Sequence, residues 1–423
     1  MRIGIGRTRW LVGALVPFLA MAEHTNAPEP QKVQPVTAVT AIFGFRGDGS
    51  GVFAKAKPPV VWGGDAGTNI LWKTQVGKSQ SSPAIGGGRI FVTAETEQLC
   101  CLDRSTGKVL WKKDNGFSSL PPEMKVVETR LPADGGCGYS TPTPVTDGKH
   151  IWASYGTGIV VCYDLEGNRQ WVRFFDQPST SEYGRSASPL LTGGKLLVTI
   201  GYLLALDPVT GKTLWECPDA VASFGTPVAT RIASDEVVFT PKGDCIRLVD
   251  GKVLGSDWGN TAYSSPVVAQ GTIFFGMPVQ ALRLPDKVDT AMRPKTLWEA
   301  SDPTGDSFAS PVLFDGIFYT VGNDGVLWAF DAVTGKLCYQ QDLPIPNSSG
   351  KTGSSANIYA SLVVAGGNLI IVNDAGQAVV IATGRVYKEL AHNILDEGSG
   401  STPVADGAQL FLRSGEMLYC IGS

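Results

Sequence analysis

Three oxygen-bearing side chains stand at corresponding places in this sequence. Glu182, Asn260 and Asp306 each lie a few residues before a short apolar segment, in Glu-Tyr-Gly-Arg, Asn-Thr-Ala-Tyr and Asp-Ser-Phe. Carboxylate and amide oxygens are the ligands that calcium prefers, and a carboxylate can also act as a general base. If the three loops meet, these residues form a candidate cofactor site in which Asp306 is the candidate catalytic base. The simpler interpretation, which we favour, is that they are solvated loop residues.

Aromatic residues form a second candidate site. Several of them lie three positions before a proline or its substitute, and Tyr183 lies in the loop that also contains Glu182. If these loops share one face of the fold, the aromatic residues form a partial ring at the mouth of a funnel. The set is Tyr139 (counted from Pro142), Tyr183, Phe224, Tyr263, Phe308 and Tyr359. Core packing is the main interpretation, and a pocket for a peptide or glycan is the alternative.

The histidines do not add a metal site or a catalytic triad. His24, His150 and His392 are scattered along the chain, and His150 lies in the turn Asp147-Gly148-Lys149-His150. None has the spacing to a second ligand or to a nucleophile that such sites require. We therefore predict no metal site.

A repeated hairpin must position these candidates. In Leu102–Trp111, Asp103 can accept hydrogen bonds from the backbone of a turn, and Gly107 can adopt the positive φ that a short hairpin needs. The pattern returns at Leu206–Trp215, at Phe330–Tyr339 and, more loosely, at Tyr163–Trp171. Repetition at this scale indicates a repeat architecture.

A second landmark marks the start of each unit. A Ser or Thr step that ends in Pro precedes a short apolar strand and a Gly turn. The positions are Pro83, Pro142 or Pro144, Pro189, Pro227, Pro266, Pro311 and Pro403, with Leu362 once in the proline place. The spacing of roughly 40–60 residues is that of propeller blades with four strands each.

The last unit lacks a fourth strand, and Ile70-Leu71-Trp72 near the N-terminus would supply it. Such a closure leaves no long unpaired edge. The sequence therefore predicts an all-β, eight-bladed β-propeller. Seven blades are the alternative, because the fourth and fifth units are degenerate.

The N-terminus has the pattern of a secretory signal. Arg2, Arg7 and Arg9 precede the apolar run Trp10–Ala20, and Ala20-Met21-Ala22 matches a cleavage site. No Cys follows that run, so a lipid anchor is not expected, and no later run is long enough to span a bilayer. We expect a signal peptide at 1–22, an exported linker and N-terminal packing segment at 23–67, and the propeller at 68–423. The protein would then be periplasmic or secreted.

The composition fits a folded domain and excludes one class of partner. Hydrophobic residues make up 43% of the 423 residues and charged residues 17%, which is typical of a globular chain. The formal net charge of −4 argues against general nucleic-acid binding, because that function usually requires a basic surface.

The repeat resembles a known family. Asp-x-x-Thr-Gly-Lys-x-x-Trp hairpins with Ser-x-Pro starts are similar to the pyrroloquinoline-quinone (PQQ)-like propeller repeat, which quinoprotein alcohol dehydrogenases share with BamB-like outer-membrane assembly proteins. The resemblance implies that the aromatic residue of each fourth strand packs between neighbouring blades. These residues are Trp72, Trp111, Trp171, Trp215, Trp298 and Tyr339, with Tyr387 in the seventh unit.

The resemblance also draws attention to Cys100-Cys101, because quinoprotein alcohol dehydrogenases carry a disulfide between adjacent cysteines beside the cofactor. Neighbours on a strand point to opposite faces, which suits such a disulfide badly. Units have a small side chain in the place of Cys101, namely Cys162, Ala205, Ala329 and Cys420. We therefore interpret these cysteines as small apolar packing residues.

Two functions follow from the resemblance. We favour a non-catalytic binding or assembly scaffold in the cell envelope, without a cofactor, that binds a protein partner, an extended peptide or a glycan on the funnel face. Two long loops, 112–138 and 341–358, would rise on that face. The alternative is a PQQ- and calcium-dependent oxidoreductase whose site lies in the funnel, although the family's PQQ enzymes place their ligands in a different loop type.

Overall fold

Each repeated unit folds into a four-stranded antiparallel sheet, or blade. The computed structural model describes residues 44–124, 136–177, 183–221, 223–261, 263–276, 278–289, 292–301, 303, 306–345, 357–398 and 400–423. The described residues all belong to one unit, Thr40–Ser423. The expected signal peptide, most of the expected linker and Glu182 lie outside the described residues, as do large parts of both long loops.

The repeated turn builds the outer hairpin of each blade. In blade 1, the Oδ1 atom of Asp103 accepts hydrogen bonds from the backbone N–H groups of Ser105 and Thr106, at 3.1 and 2.9 Å. Gly107 has a φ of +70°, and a Cβ atom there would lie 2.5 Å from the ring of Trp72 in the preceding blade. The turn conformation and the neighbouring ring therefore both require glycine at this position.

The strands follow the chain order from blade to blade, and each blade runs from an inner strand to an outer strand. Two strands precede the first complete blade, β1 (Val52–Phe53) and β2 (Ile70–Gln75). Blade 1 contains β3 (Ala84–Gly86), β4 (Arg89–Ala94), β5 (Gln98–Asp103) and β6 (Val109–Asp114), and blade 2 contains β7 (Val145–Thr146), β8 (His150–Ser154), β9 (Ile159–Asp164) and β10 (Arg169–Phe174). Blade 3 contains β11 (Leu190–Thr192), β12 (Lys195–Ile200), β13 (Tyr202–Leu206) and β14 (Thr213–Val221), and blade 4 contains β15 (Val228–Ile232), β16 (Asp235–Phe239), β17 (Cys245–Arg247) and β18 (Val253–Gly255).

The second half of the ring repeats this arrangement. Blade 5 contains β19 (Val267–Ala269), β20 (Thr272–Gly276), β21 (Val279–Arg283) and β22 (Lys295–Ala300), and blade 6 contains β23 (Val312–Phe314), β24 (Ile317–Val321), β25 (Val326–Asp331) and β26 (Leu337–Asp342). Blade 7 contains β27 (Val363–Ala365), β28 (Asn368–Val372), β29 (Gln377–Ala382) and β30 (Glu389–Ile394), and blade 8 contains β31 (Val404–Asp406), β32 (Gln409–Ser414) and β33 (Met417–Ile421). Two short 3-10 helices, Phe117–Ser119 and Pro122–Met124, lie between blades 1 and 2. Within the described residues, no helix is both long enough and apolar enough to cross a membrane.

The N-terminal strand β2 completes blade 8. It pairs antiparallel with β33, so that Trp72 lies opposite Cys420 and Gln75 lies opposite Met417. The predicted eight-bladed propeller is confirmed, together with its closure by an N-terminal strand, and the seven-bladed alternative is wrong. Degeneracy of the fourth and fifth units affects their turns but not the number of strands.

Apolar side chains fill the seams between blades. Eight clusters of buried residues run around the ring, and each draws on two neighbouring blades. Phe91 of blade 1 and Tyr163 of blade 2 share one cluster, whereas Leu418 of blade 8 and Ile90 of blade 1 share another. The latter cluster closes the ring, since it joins the last blade to the first.

A belt of hydroxyl groups joins the blades near the axis of the ring. The residue before each inner-strand proline, or before Leu362, is a buried Ser or Thr. In blades 1 to 7, its backbone N–H donates to the hydroxyl of the corresponding residue in the next blade. These bonds measure 2.9–3.1 Å and link Ser82, Thr143, Ser188, Thr226, Ser265, Ser310, Ser361 and Thr402 in that order. We call these eight residues the hydroxyl belt.

The seam between blades 8 and 1 is held by other polar contacts. Ser401 Oγ donates to the carbonyl of Ser81 at 3.0 Å. Arg413, which is buried, donates to Ser81 Oγ at 2.9 Å and to the carbonyl of Thr93 at 3.0 Å. The seam where the two ends of the propeller meet thus has a guanidinium group that bridges both blades.

A short N-terminal segment occupies the centre of the ring. Strand β1 pairs in parallel with inner strand β27, with Val52 opposite Val364, and a Cβ atom on Gly44 would lie 3.0 Å from Val145 in blade 2. Arg46 is fully buried and donates to the carbonyls of Ser50, at 3.0 Å, and of Pro311 in blade 6. We call residues 44–53 the N-terminal plug. The sequence indicated only that this segment packs on the propeller.

Replacing Ser188 by Ala should destabilise the ring. The backbone N–H of Thr143 donates to Ser188 Oγ at 3.0 Å, and the substitution would leave this buried N–H without an acceptor. We expect a loss of about 1–3 kcal/mol in the free energy of unfolding, measured by urea titration. Ser188→Thr keeps the hydroxyl, as Thr226 does in the next blade, and serves as the matched control. Equal losses in the two variants would show that the hydroxyl is not the stabilising group.

The turn aspartates should make stability depend on acid pH. Hydrogen bonds from the side chains of Ser105 and Thr106 lower the pKa of Asp103 from 3.8 to about 2. The pKa values of Asp207 and Asp331 are also lowered, by hydrogen bonds to their carboxylates. Because a folded-state pKa below the unfolded one stabilises the fold above the unfolded value, this stabilisation is lost as the pH falls. We expect the thermal midpoint to drop between about pH 4 and pH 2.

The control for this prediction is the triple variant Asp103→Asn, Asp207→Asn, Asp331→Asn. Asparagine keeps an acceptor oxygen in each turn but does not titrate. The drop in its thermal midpoint over the same pH range should be smaller than that of the original protein. An unchanged drop would assign the acid sensitivity to other carboxyl groups.

Candidate functional site

The loops between an outer strand and the next inner strand lie on one face of the ring, here called the funnel face. A cavity of ≈ 490 Å³ opens there. In an extended chain alternate residues point the same way, so that the hydroxyl belt and the residues two positions earlier can both face the cavity. The residue between them is small or proline in every unit. These residues are Ser81, Pro142, Ala187, Gly225, Ser264, Ala309, Ala360 and Ser401.

The cavity wall has two tiers of side chains. The lower tier is the hydroxyl belt, of which seven members line the cavity. The upper tier consists of Gln80, Thr141, Ser186, Phe224, Tyr263, Phe308, Tyr359 and Gly400. The upper tier is aromatic in blades 4 to 7 and polar or small in blades 8 and 1 to 3. Every upper-tier residue, whatever its type, lies three positions before the proline, or Leu362, that marks the start of its unit. This spacing is the sequence signal for the whole tier.

Five aromatic side chains form a continuous aromatic crescent. Its members, in order around the cavity, are Tyr183, Phe224, Tyr263, Phe308 and Tyr359. The centroids of successive rings lie 5.9, 5.3, 5.0 and 5.1 Å apart, which is the range in which aromatic pairs attract one another. The end residues Tyr183 and Tyr359 are 47% and 36% exposed. The crescent therefore presents a wide apolar wall that solvent or a ligand can reach.

The N-terminal plug bounds the cavity on the side of the inner strands. Phe45 lines the cavity, and the next residue, Arg46, anchors the plug through its buried guanidinium group. Burial lowers the pKa of Arg46 to about 9, which leaves the group charged at neutral pH. The cavity is thus a blind funnel at this point rather than an open channel.

Asp306 supplies the charge in the cavity wall. Among the described residues that line the cavity, it is the one acidic side chain, and Lys, Arg and His do not occur. The side chain of Asp306 is exposed, and its backbone carbonyl accepts a hydrogen bond from the N–H of Asn323 at 2.8 Å. Asn323 in turn donates from Nδ2 to Oδ1 of Asn357 at 2.7 Å. Hydrogen bonds thus join the three loops that contain Asp306, Asn323 and Asn357.

The structure describes two of the three candidate oxygen ligands, Asn260 and Asp306. Asp306 lines the cavity, Asn260 is exposed and does not line it, and Glu182 lies outside the described residues. In the described part of the chain, no group of three or more His, Cys, Asp or Glu side chains could hold a metal ion.

The cavity wall does not fit PQQ with calcium. PQQ carries three carboxylates, whereas the charge that the described wall offers is negative. Calcium takes six to eight oxygen ligands, and the side-chain oxygens of Asn323 and Asn357 already accept hydrogen bonds.

Tyr139 does not line the cavity. Its count from Pro142 is out of register, because Thr143 Oγ1 accepts the belt hydrogen bond from blade 1 and Pro144 is therefore the true counterpart of the other prolines. Thr141 occupies the upper-tier position instead. The carbonyl of Tyr139 accepts a hydrogen bond from the N–H of Gly156 at 2.7 Å.

Aromatic residues of the outer strands contact the following blade. Four indole Nε1 groups each donate to a backbone carbonyl there, at 2.9 Å. The pairs are Trp111 with Leu165, Trp171 with Pro208, Trp215 with Leu248, and Trp298 with Ala332. Trp72 packs on Gly107, and Tyr339 lies 5.9 Å from Tyr387 between ring centroids. These indoles and phenols lie in the seams and not in the cavity.

Blade 7 departs from the aromatic pattern. Its outer strand places Ala391 opposite Val380, where blades 1, 2, 3, 5, 6 and 8 have the docking residue, so the expectation for Tyr387 is wrong. Tyr387 precedes β30 and packs edge-on against Tyr339 of blade 6. It therefore fills the seam before blade 7 rather than the seam after it.

Cys100 and Cys101 point into different seams. Cys100 belongs to the cluster between blades 8 and 1, and Cys101 belongs to the cluster between blades 1 and 2. Both thiols are free, and neither lines the cavity. Burial raises the pKa of the Cys101 thiol to about 11, which keeps it protonated and unreactive at neutral pH.

Comparison with known proteins adds relatives that share parts of the chain. The serine/threonine-protein kinase AfsK of Streptomyces griseus is 25% identical over 287 residues, which is 63% of this chain and 31% of the kinase. The dehydrogenase subunit of the quinone alcohol dehydrogenase of Acetobacter aceti is 23% identical over 205 residues, which is 44% of this chain and 26% of that subunit. The match thus spans less than a third of either relative.

A solved structure shares the fold. BamB from Moraxella catarrhalis superposes with a TM-score of 0.59 at 13% sequence identity, over 84% of this chain and 97% of that one. At this identity the similarity establishes the propeller architecture alone. The sequence also matches the model of the family described as outer membrane protein assembly factor BamB, over residues 60–276 and 249–421. With the repeated hairpins, the eight blades and this match in place, the chain belongs to the BamB family of PQQ-like propellers.

Proposed function

We propose that the protein is an exported, non-catalytic scaffold of the cell envelope whose funnel face binds a segment of a partner protein. The observation that carries this proposal is the aromatic crescent, a wall of five rings at the mouth of a blind cavity. Aromatic side chains are enriched where protein interfaces gain most of their binding energy. The opposite side of the cavity offers Gln80, Thr141 and Ser186, whose polar groups can bond to the backbone of an extended peptide.

The family supports a role in assembly. Its description names an outer membrane protein assembly factor, and a propeller of this kind offers a rigid face with loops that can differ between relatives. Export rests on the N-terminal pattern of three arginines, an apolar run and Ala20-Met21-Ala22. A mature chain that begins at Glu23, shown by mass spectrometry of protein from the cell envelope or the medium, would support this part of the proposal.

A quinone-dependent oxidoreductase is the second candidate function. The match to a quinone alcohol dehydrogenase subunit favours it, whereas the acidic cavity wall and its few oxygen ligands argue against it. Adding PQQ and calcium to the purified protein distinguishes the two. A bound quinone absorbance together with dye-linked oxidation of alcohols would replace the scaffold by the enzyme.

Crosslinking tests the funnel face directly. A photoreactive phenylalanine analogue in place of Tyr359, at the exposed end of the crescent, should yield a discrete crosslinked band with a partner in intact cells. The same analogue at Val333, which is 78% exposed in a turn of the opposite face, is the matched control. Because Val333 is remote from the cavity, we expect no such band from it.

A substitution within the crescent makes this test more specific. Phe308→Ala removes a central ring, and it should reduce the crosslink from position 359 by about fivefold or more, since a buried aromatic contact contributes about 1 kcal/mol or more. Circular dichroism must show that the variant stays folded. Equal bands from positions 359 and 333, or a yield that Phe308→Ala does not change, would refute binding at the crescent.

A further inference from the structure

The funnel face carries an excess of negative charge in its described loops. The carboxylates of these loops are Glu95, Glu97, Glu123, Asp176, Asp244, Asp257, Asp306, Asp324, Asp374, Asp396, Glu397 and Glu416. The basic residues of the same loops are Lys78, Arg185 and Lys242. On the opposite face, the acidic residues of the described loops are Asp147, Glu166, Asp207, Asp250, Asp286, Asp289 and Asp315. The basic residues of those loops, which outnumber them, are Arg104, Lys108, Lys149, Lys212, Lys252, Lys287, Arg293, Lys336, Arg385 and Lys388. The two faces of the ring therefore differ in charge.

Crowding of carboxylates is visible beside the cavity. Glu97 is almost completely buried at the tip of the hairpin between β4 and β5. Its pKa is raised to about 7, first by burial and then by the negative charges of Glu95 and Asp114, although a hydrogen bond with Thr157 lowers it. The two neighbouring carboxylates, Glu95 and Asp114, make the local potential negative, which would attract a cation to this face.

The cavity itself combines one free carboxylate with aromatic faces. Within the described part of the chain, the carboxylate of Asp306 forms no hydrogen bond or ion pair, although it lines the cavity beside Phe308. The rings of Phe308 and Tyr359 are stacked, with an interplanar angle of 17°. A Lys or Arg head group is attracted to the face of such a ring within about 6 Å of its centroid. Carboxylate and ring faces together form a receptor for a basic side chain.

We propose that the funnel selects a basic segment of its partner, with a Lys or Arg side chain lying against the aromatic crescent and pairing with Asp306. This inference rests on the proposed function, since it specifies the chemistry of the bound segment. The apolar stem of the basic side chain packs on the rings, and its charge meets Asp306. The acidic loops around the cavity increase the rate at which such a segment arrives, and salt weakens this effect.

Charge-matched peptides test the proposal. Short fluorescent peptides that are identical except for Lys, Gln or Glu at the same positions are titrated with the full-length mature protein, and binding is followed by anisotropy. The Lys peptide should bind about tenfold or more tightly than the Glu peptide, with the Gln peptide between them. Raising the ionic strength from about 0.05 to about 0.5 M should shrink this difference.

Single substitutions test whether Asp306 and Phe308 are the groups that favour the Lys peptide. Asp306→Asn should weaken the Lys peptide about threefold or more and leave the Gln peptide unchanged. Phe308→Leu, which keeps an apolar side chain but removes the ring face, should also weaken the Lys peptide more than the Gln peptide. Asp315→Asn removes the same charge from the opposite face of blade 6 and is the matched control, which should leave both affinities unchanged.

The possible failures are distinguishable. Binding of all three peptides with equal affinity, weakened uniformly by Phe308→Leu, would overturn charge selection and leave the scaffold proposal intact. An equal effect of Asp306→Asn and Asp315→Asn would show a general charge effect and overturn the role of Asp306. No peptide binding at millimolar concentration, with binding of neutral oligosaccharides instead, would overturn both the inference and the protein-segment proposal.

Discussion

In blades 1 to 7, the backbone amide before the inner strand donates to a hydroxyl group that belongs to the next blade. A buried N–H without a partner costs more free energy than an average hydrogen bond contributes, so each blade requires its neighbour to be correctly placed. The hydroxyl belt thereby sets the spacing of the inner strands. Because the upper-tier residues lie two positions earlier on the same extended segments, the belt also places the rings of the aromatic crescent. The spacing of the inner strands and the shape of the cavity therefore depend on the same contacts.

Near the outer edge of the ring, neighbouring blades are joined by aromatic contacts that vary from seam to seam. In most seams an indole group packs on the turn of the next blade, and in four of them it donates a hydrogen bond of 2.9 Å. In blade 4 the position holds Gly255, opposite Cys245. Trp258, which lies beyond β18, packs against Phe239 of the same blade with ring centroids 5.5 Å apart, and both belong to the cluster between blades 4 and 5. After blade 7 the position holds Ala391. Large apolar contacts tolerate such substitution, since packing depends on volume more than on a particular donor and acceptor.

Local patterns explain why much of the architecture could be predicted from the sequence. A hairpin such as Leu102–Trp111 needs nothing beyond its own turn residues, so its repetition predicts blade number and strand order. The same regularity located most of the aromatic crescent. The prediction of Tyr139 as a cavity residue failed, because either Pro142 or Pro144 could mark the start of blade 2. The hydrogen bond from Ser82 to Thr143 identifies Pro144 as the correct one. The N-terminal plug and the buried Arg46 could not be predicted, because their partners lie hundreds of residues away and no local pattern marks them.

The completion of blade 8 by β2 has a consequence for biosynthesis. The chain is made from its N-terminus, yet the partner of β2 is β33, which ends at Ile421, and the partner of β1 is β27. Strands β1 and β2 therefore remain unpaired until β27 and β33 have been made, and contacts of such long sequence separation form slowly. A chain truncated before residue 417 would lack β33, and β2 would have no strand to pair with. The ring can thus close only after β33 has been synthesised, so closure requires that translation has passed residue 421.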